Sequence, residues 1–62
     1  MISKRKQIII QMISDGFTSA EIAKCMNYSY ALIHKELDEL YRETFTNNKA
    51  HLVSWAYRNG VL

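Results

Sequence analysis

Four times along this chain a small polar residue stands directly before a stretch whose apolar residues recur every three or four positions: at Ser3, at Thr18, at Ser29, and at Asn47 or Asn48. A residue of this kind accepts a hydrogen bond from an amide that the first helical turn leaves unpaired. No proline interrupts any stretch, and the two glycines fall at stretch ends. The pattern predicts an all-α chain of four helices, the third longest, with no sheet.

The first helix is predicted from about Ser3 to Ser14. Ile9, Met12 and Ile13 share one face, Ile8 and Ile10 widen it, and Ile2 is placed to staple onto the first turn. Asp15-Gly16 ends the helix, and Phe17 plugs the turn. Thr18-Ser19-Ala20-Glu21 has the form of a capping box, opening a short helix to about Met26 with Ile22, Ala23 and Met26 inward. After the Asn27-Tyr28 turn, Ile33, Leu37, Leu40 and Tyr41 set the face of a helix from Tyr30 to about Glu43. Phe45-Thr46-Asn47-Asn48 breaks the period. The last helix runs from about Lys49 to Arg58 with Leu52, Val53 and Ala56 inward, and Val61-Leu62 folds back as an apolar tail.

Sixty-two residues are expected to make one domain, residues 1–62. A chain of this size buries only ~60% of its unfolded surface, so its stability is marginal and a partner or second copy commonly adds to it. At 48% hydrophobic residues it is not a disordered composition. A net charge of +2 permits nucleic-acid binding without requiring it. Ile8-Ile9-Ile10 is far too short for a signal-peptide core or a membrane span, so the expected setting is cytoplasmic, with no membrane partner. Cys25, His34 and His51 lack metal-ligand spacing; Cys25 is read as a free thiol beside the core, and no metal or other cofactor is expected. No Ser/His/Asp arrangement, glycine-rich phosphate loop or pocketed carboxylate pair can be named, so the chain is not read as an enzyme.

The strongest organisational feature is the short helix, four-residue turn and longer helix from Thr18 to Glu43, which matches helix-turn-helix geometry. The residues go further. Gly16-Phe17-Thr18-Ser19-Ala20-Glu21-Ile22-Ala23 follows the pattern G-x-S/T-x-x-E-I-A. Ile2 to Ile9 follows L-T-x-R-E-x-E-V loosely, and Tyr28 to Glu36 follows I-S-x-x-T-V-x-x-H in part. Asn48 to Leu62 follows N-R-x-x-A-V-x-x-A-x-x-x-G-L-L. Over nearly its whole length the chain resembles the LuxR/GerE-type DNA-binding domain of bacterial regulators. The resemblance implies that fold, double-stranded DNA as partner, and a dimer contact on the last helix. It departs at Leu32 and Glu36, where the family has threonine and histidine. It departs again at Thr44, where the family is apolar and Phe45 is expected to fill the space.

If the third helix enters a groove, its outward face offers Tyr30, Ala31, His34, Lys35 and Asp38. Lys35 and His34 suit a base edge or phosphate, Tyr30 a phosphate or a stack, and Ala31 a thymine methyl. Lys49 aligns with the family's arginine at the start of the last helix, where amides and a cation converge on phosphate. Lys4, Arg5 and Lys6 crowd the start of the first helix, where cations oppose its dipole. With no local compensation in sight, Lys4 and Arg5 are read as phosphate contacts, the alternative being a solvated basic end. Trp55 and Tyr57 lie off the inner line of the last helix and are candidate dimer contacts; Trp55 could instead cover the core edge.

One feature opposes DNA binding. From Tyr30 to Thr46 the cations Lys35 and Arg42 face the anions Glu36, Asp38, Glu39 and Glu43, a local −2 against +4 elsewhere. Either these carboxylates form a solvated face or they meet a protein. The leading expectation is a stand-alone transcriptional regulator, without sensor or receiver domain, binding DNA as a homodimer. The alternative is an interaction module that binds a larger regulatory protein or RNA polymerase.

Overall fold

The computed structural model describes residues 2–62 and contains four helices: α1 (Lys4–Ser14), α2 (Ser19–Met26), α3 (Tyr30–Thr44) and α4 (Lys49–Arg58). No strand occurs among the described residues. The caps act as the sequence implies. Ser3, Thr18 and Ser29 accept from the amides of Lys6, Glu21 and Leu32, and Glu21 returns the bond to the Thr18 amide at 2.8 Å. At the fourth helix Asn48 is the cap, accepting from the His51 amide at 2.8 Å. Asn47 instead donates its own amide to His51 Nδ1.

Each helix is followed by a residue in the left-handed region: Gly16, Asn27, Phe45 and Gly60. There the next amide reaches back to close the last turn, from Phe17 to Met12, Tyr28 to Ala23, Thr46 to Tyr41 and Val61 to Ala56. Three of these positions hold the residues that tolerate a positive φ most readily. Phe45 does not, and its side chain is 90% exposed. The expectation that Phe45 fills an apolar space is therefore corrected. Thr44 occupies that place, buried, its hydroxyl bonded to the Leu40 carbonyl and to Thr46 Oγ1.

The core draws on all four helices: Ile9 and Ile10, Ile22 and Ala23, Ile33, Leu37 and Leu40, Leu52 and Ala56. Each large side chain fully buried here contributes roughly 1.5–3 kcal/mol. Ile2, Met12, Ile13, Met26, Tyr41, Trp55, Val61 and Leu62 pack around it. Ile8 does not widen the buried face; it is 41% exposed, because the inward arc of α1 is set by Ile9 and Ile10. Cys25 is also exposed rather than beside the core. Phe17 only half-closes its turn, at the edge of a groove it shares with Ile13, Lys49, Ala50 and Val53.

α2 packs on α3 and α1 on α4, with smaller contacts of α3 on α4 and of α1 on α2. The turn between α2 and α3 has three residues, Asn27 to Ser29, rather than four.

Candidate nucleic-acid interface

Helical geometry decides which way the charges of α3 point. Ile33, Leu37, Leu40 and Thr44 are buried, and Glu36 falls on the same stripe. Glu36 is only 8% exposed, and its carboxylate accepts from Arg5 Nη1 at 2.9 Å. One and two turns onward, Glu39 and Glu43 receive Lys6 Nζ at 3.2 and 3.1 Å. The reading of these glutamates as a solvated or protein-facing surface is corrected for Glu36, which is buried against Arg5; Glu39 and Glu43 pair with Lys6 yet stay partly open, Glu43 at 48%.

The same contacts correct the reading of α1. Arg5 and Lys6 do have compensation, supplied by α3. The hydrogen bond to Glu36 holds the Arg5 guanidinium above its ordinary pKa, helped by Tyr28, whose ring centroid lies 5.1 Å from the guanidinium carbon. Burial pushes the Lys6 ammonium down, but the bonds to Glu43 and Glu39 outweigh it and leave the group raised. Arg5 thus grips both the turn before α3 and the middle of α3.

The exposed residues of α3 are Tyr30, Ala31, His34, Lys35, Asp38, Arg42 and, beside Lys6, Glu43. Tyr30 and His34 touch, their ring centroids 4.3 Å apart. Asp38 is the one acidic residue of α3 outside the three ion pairs, and its charge, after burial, raises the Tyr41 phenol. Four of the sequence-derived contact residues, Tyr30, Ala31, His34 and Lys35, therefore share a surface. Lys4 is exposed on the first turn of α1. Lys49 lines the groove with Ile13, Phe17 and Val53, between the end of α1 and the start of α4. Arg42 was missed as a candidate, although it lies one turn beyond Asp38 and two beyond Lys35. Lys24, exposed at the end of α2, carries no sequence signal beyond its charge.

The described residues form three ion pairs. They leave Lys4, Lys24, Lys35, Arg42, Lys49 and Arg58 as unpaired cations, against Asp15, Glu21 and Asp38. Among the described residues no group of His, Cys, Asp and Glu could hold a metal. No helix among the described residues is long and apolar enough to cross a membrane. On α4, Tyr57 is 63% exposed while Trp55 packs partly against the core.

The architecture is all-α and compatible with a small helix-turn-helix domain. Comparison with known proteins points to regulators. The chain is 30% identical over 61 residues to a probable transcriptional regulator, ycf29, of Porphyra purpurea, covering 98% of this chain and 29% of that protein. It is 29% identical over 58 residues to the ycf29 regulator of Cyanophora paradoxa, covering 94% of this chain and 28% of that one. To the response regulator Rre1 of a Synechocystis species it is 30% identical over 57 residues, covering 92% and 25%. The chain thus spans less than a third of each relative's length. No family model matches it.

Proposed function

We propose that residues 1–62 form one LuxR/GerE-type DNA-binding domain of a transcriptional regulator, acting in the cytoplasm. In this reading α3 enters the major groove, and two copies bind a two-fold site. The observation that carries it is the sorting of charge on α3. Glu36, Glu39 and Glu43 are each paired with Arg5 or Lys6, so the exposed face offers Tyr30, Ala31, His34, Lys35 and Arg42, with Asp38 as the acidic residue of α3 that no ion pair offsets. Lys35, His34 and Tyr30 read or flank bases; Lys49 and Lys4 neutralise phosphate. Arg5 contributes by holding α3 in place. The distant regulator relatives support the same reading. Titrating the chain with duplex DNA at two salt concentrations tests it. Affinity should fall steeply with salt, and some sequences should bind far more tightly than others. Weak, sequence-blind binding at both salts would refute it.

One observation favours a second reading, in which the scaffold docks on a larger regulatory protein or RNA polymerase. Phe45 is nearly fully exposed and held in a backbone conformation that suits it poorly, and backbone strain of this kind clusters at ligand clamps and switch regions. Phe45→Gly would then abolish capture of such a partner and leave DNA binding intact.

A further inference from the structure

Tyr30 is the first residue of α3, and His34 lies one turn along it. Both are exposed, Tyr30 at 54%, yet their ring centroids are 4.3 Å apart with planes tilted by 59°. Tilted contact between aromatic rings is attractive. Each of these side chains has only two rotatable bonds, so the contact restricts both before any partner arrives. Restriction in advance reduces the entropy lost on binding. An imidazole carries a donor nitrogen in either charge state. In the major groove both purines present N7 as an acceptor, which pyrimidines lack.

We infer that Tyr30 is a positioning residue for His34, holding the imidazole over the first turn of α3 so that its N–H meets the N7 edge of one purine. The inference rests on the DNA-binding reading above. Tyr30 contributes through its ring rather than its hydroxyl, and His34 sets a purine preference at one position of the site. The charged neighbours on this face, Lys35 and Asp38, flank the pair.

Two measurements test this. NMR of the free chain should show the His34 ring protons displaced by the neighbouring phenol, still displaced in Tyr30→Phe and relaxed in Tyr30→Ala. Sites enriched from a randomised duplex pool are then titrated with wild type, Tyr30→Phe, Tyr30→Ala, His34→Ala and the Tyr30→Ala/His34→Ala double variant, each checked for helix content. His34→Ala should weaken the enriched site about tenfold and relax purine preference at one position. Tyr30→Phe should keep both properties. Tyr30→Ala should reproduce most of the His34→Ala loss, and the double variant should bind no worse than His34→Ala, the non-additivity of two groups acting as one. Three results would each overturn the inference while leaving the DNA reading intact: Tyr30→Phe as weak as Tyr30→Ala, additive losses, or His34 ring protons insensitive to Tyr30→Ala. Failure of the wild type to enrich any sequence would overturn the DNA reading and this inference together.

Discussion

Arg5, on the first turn of α1, donates to Glu36 in the middle of α3 at 2.9 Å, and the two partners differ sharply in exposure: the arginine side chain is 45% open and the glutamate 10%. Removing the arginine strands a carboxylate that water reaches poorly. Removing the carboxylate's charge frees a guanidinium that water solvates readily. Arg5→Ala should therefore lower the urea midpoint of unfolding more than Glu36→Gln does. Urea is the right denaturant because a salt would screen the pair. Equal midpoints would mean that the pair is as solvated at Glu36 as at Arg5.

Phe45 holds φ 56° and ψ 42° with its ring in solvent. A left-handed residue with a side chain costs roughly 1–2 kcal/mol, and glycine escapes this at some entropic cost in the unfolded chain. Phe45→Gly should stabilise the fold by about 0.5–1 kcal/mol in equilibrium unfolding. A destabilised variant would show that the ring packs in solution.

Ile33→Ala and Leu37→Ala should each cost roughly 2–5 kcal/mol, enough to unfold a domain this small. Ile8→Ala, on the open side of α1, should stay within about 1 kcal/mol of wild type. Far-UV circular dichroism during urea titration separates the two groups; a fully folded Ile33→Ala would displace the core.

On DNA, Lys35→Ala should cost about 1–3 kcal/mol and relax preference at one base position. Lys49→Ala should weaken all sequences alike and reduce the salt slope by roughly one unit. Asp38→Ser should bind as well as wild type or better. Glu39→Ser, which sequence alone would pair with it, should instead loosen the hold on Lys6 and lower stability. A fluorescence anisotropy series over salt, with thermal melts alongside, reads all four.

For self-association the two α4 aromatics should behave differently. Tyr57→Ala should weaken a dimer without affecting the fold, whereas Trp55→Ala should cost stability as well, since the indole packs partly on the core. Sedimentation of both variants decides. A wild type that remains monomeric at high micromolar concentration would remove the dimer from the proposal.

The four helices were legible because their determinants are local: a cap, a period and a stop residue lie within a few positions of one another. Choosing Asn48 over Asn47 was beyond that logic, since it turns on which oxygen meets the His51 amide. The fate of Glu36 was half legible. Its spacing from Ile33 and Leu40 places it on the buried stripe, but its partner lies 31 residues away in sequence. Only the fold brings α1 to α3, so two cations that looked uncompensated proved to be the partners of three anions that looked idle. Phe45 misled for a similar reason. Its hydrophobicity suggests burial, while the backbone of the α3 stop turns the ring outward.

The coupling of α1 to α3 constrains how such a sequence can drift. A mutation of Glu39 or Glu43 to lysine would look like a gain for a protein approaching phosphate, yet it would set a second ammonium beside Lys6. Repulsion would then act between the two helices whose spacing fixes the exposed face. A lineage moving toward a more basic α3 would have to shed positive charge from α1 at nearly the same time. Paired exchange of charge between positions 5–6 and 36–43 is thus the substitution pattern expected among descendants that keep this packing, and isolated reversal at either end is the pattern expected to be lost.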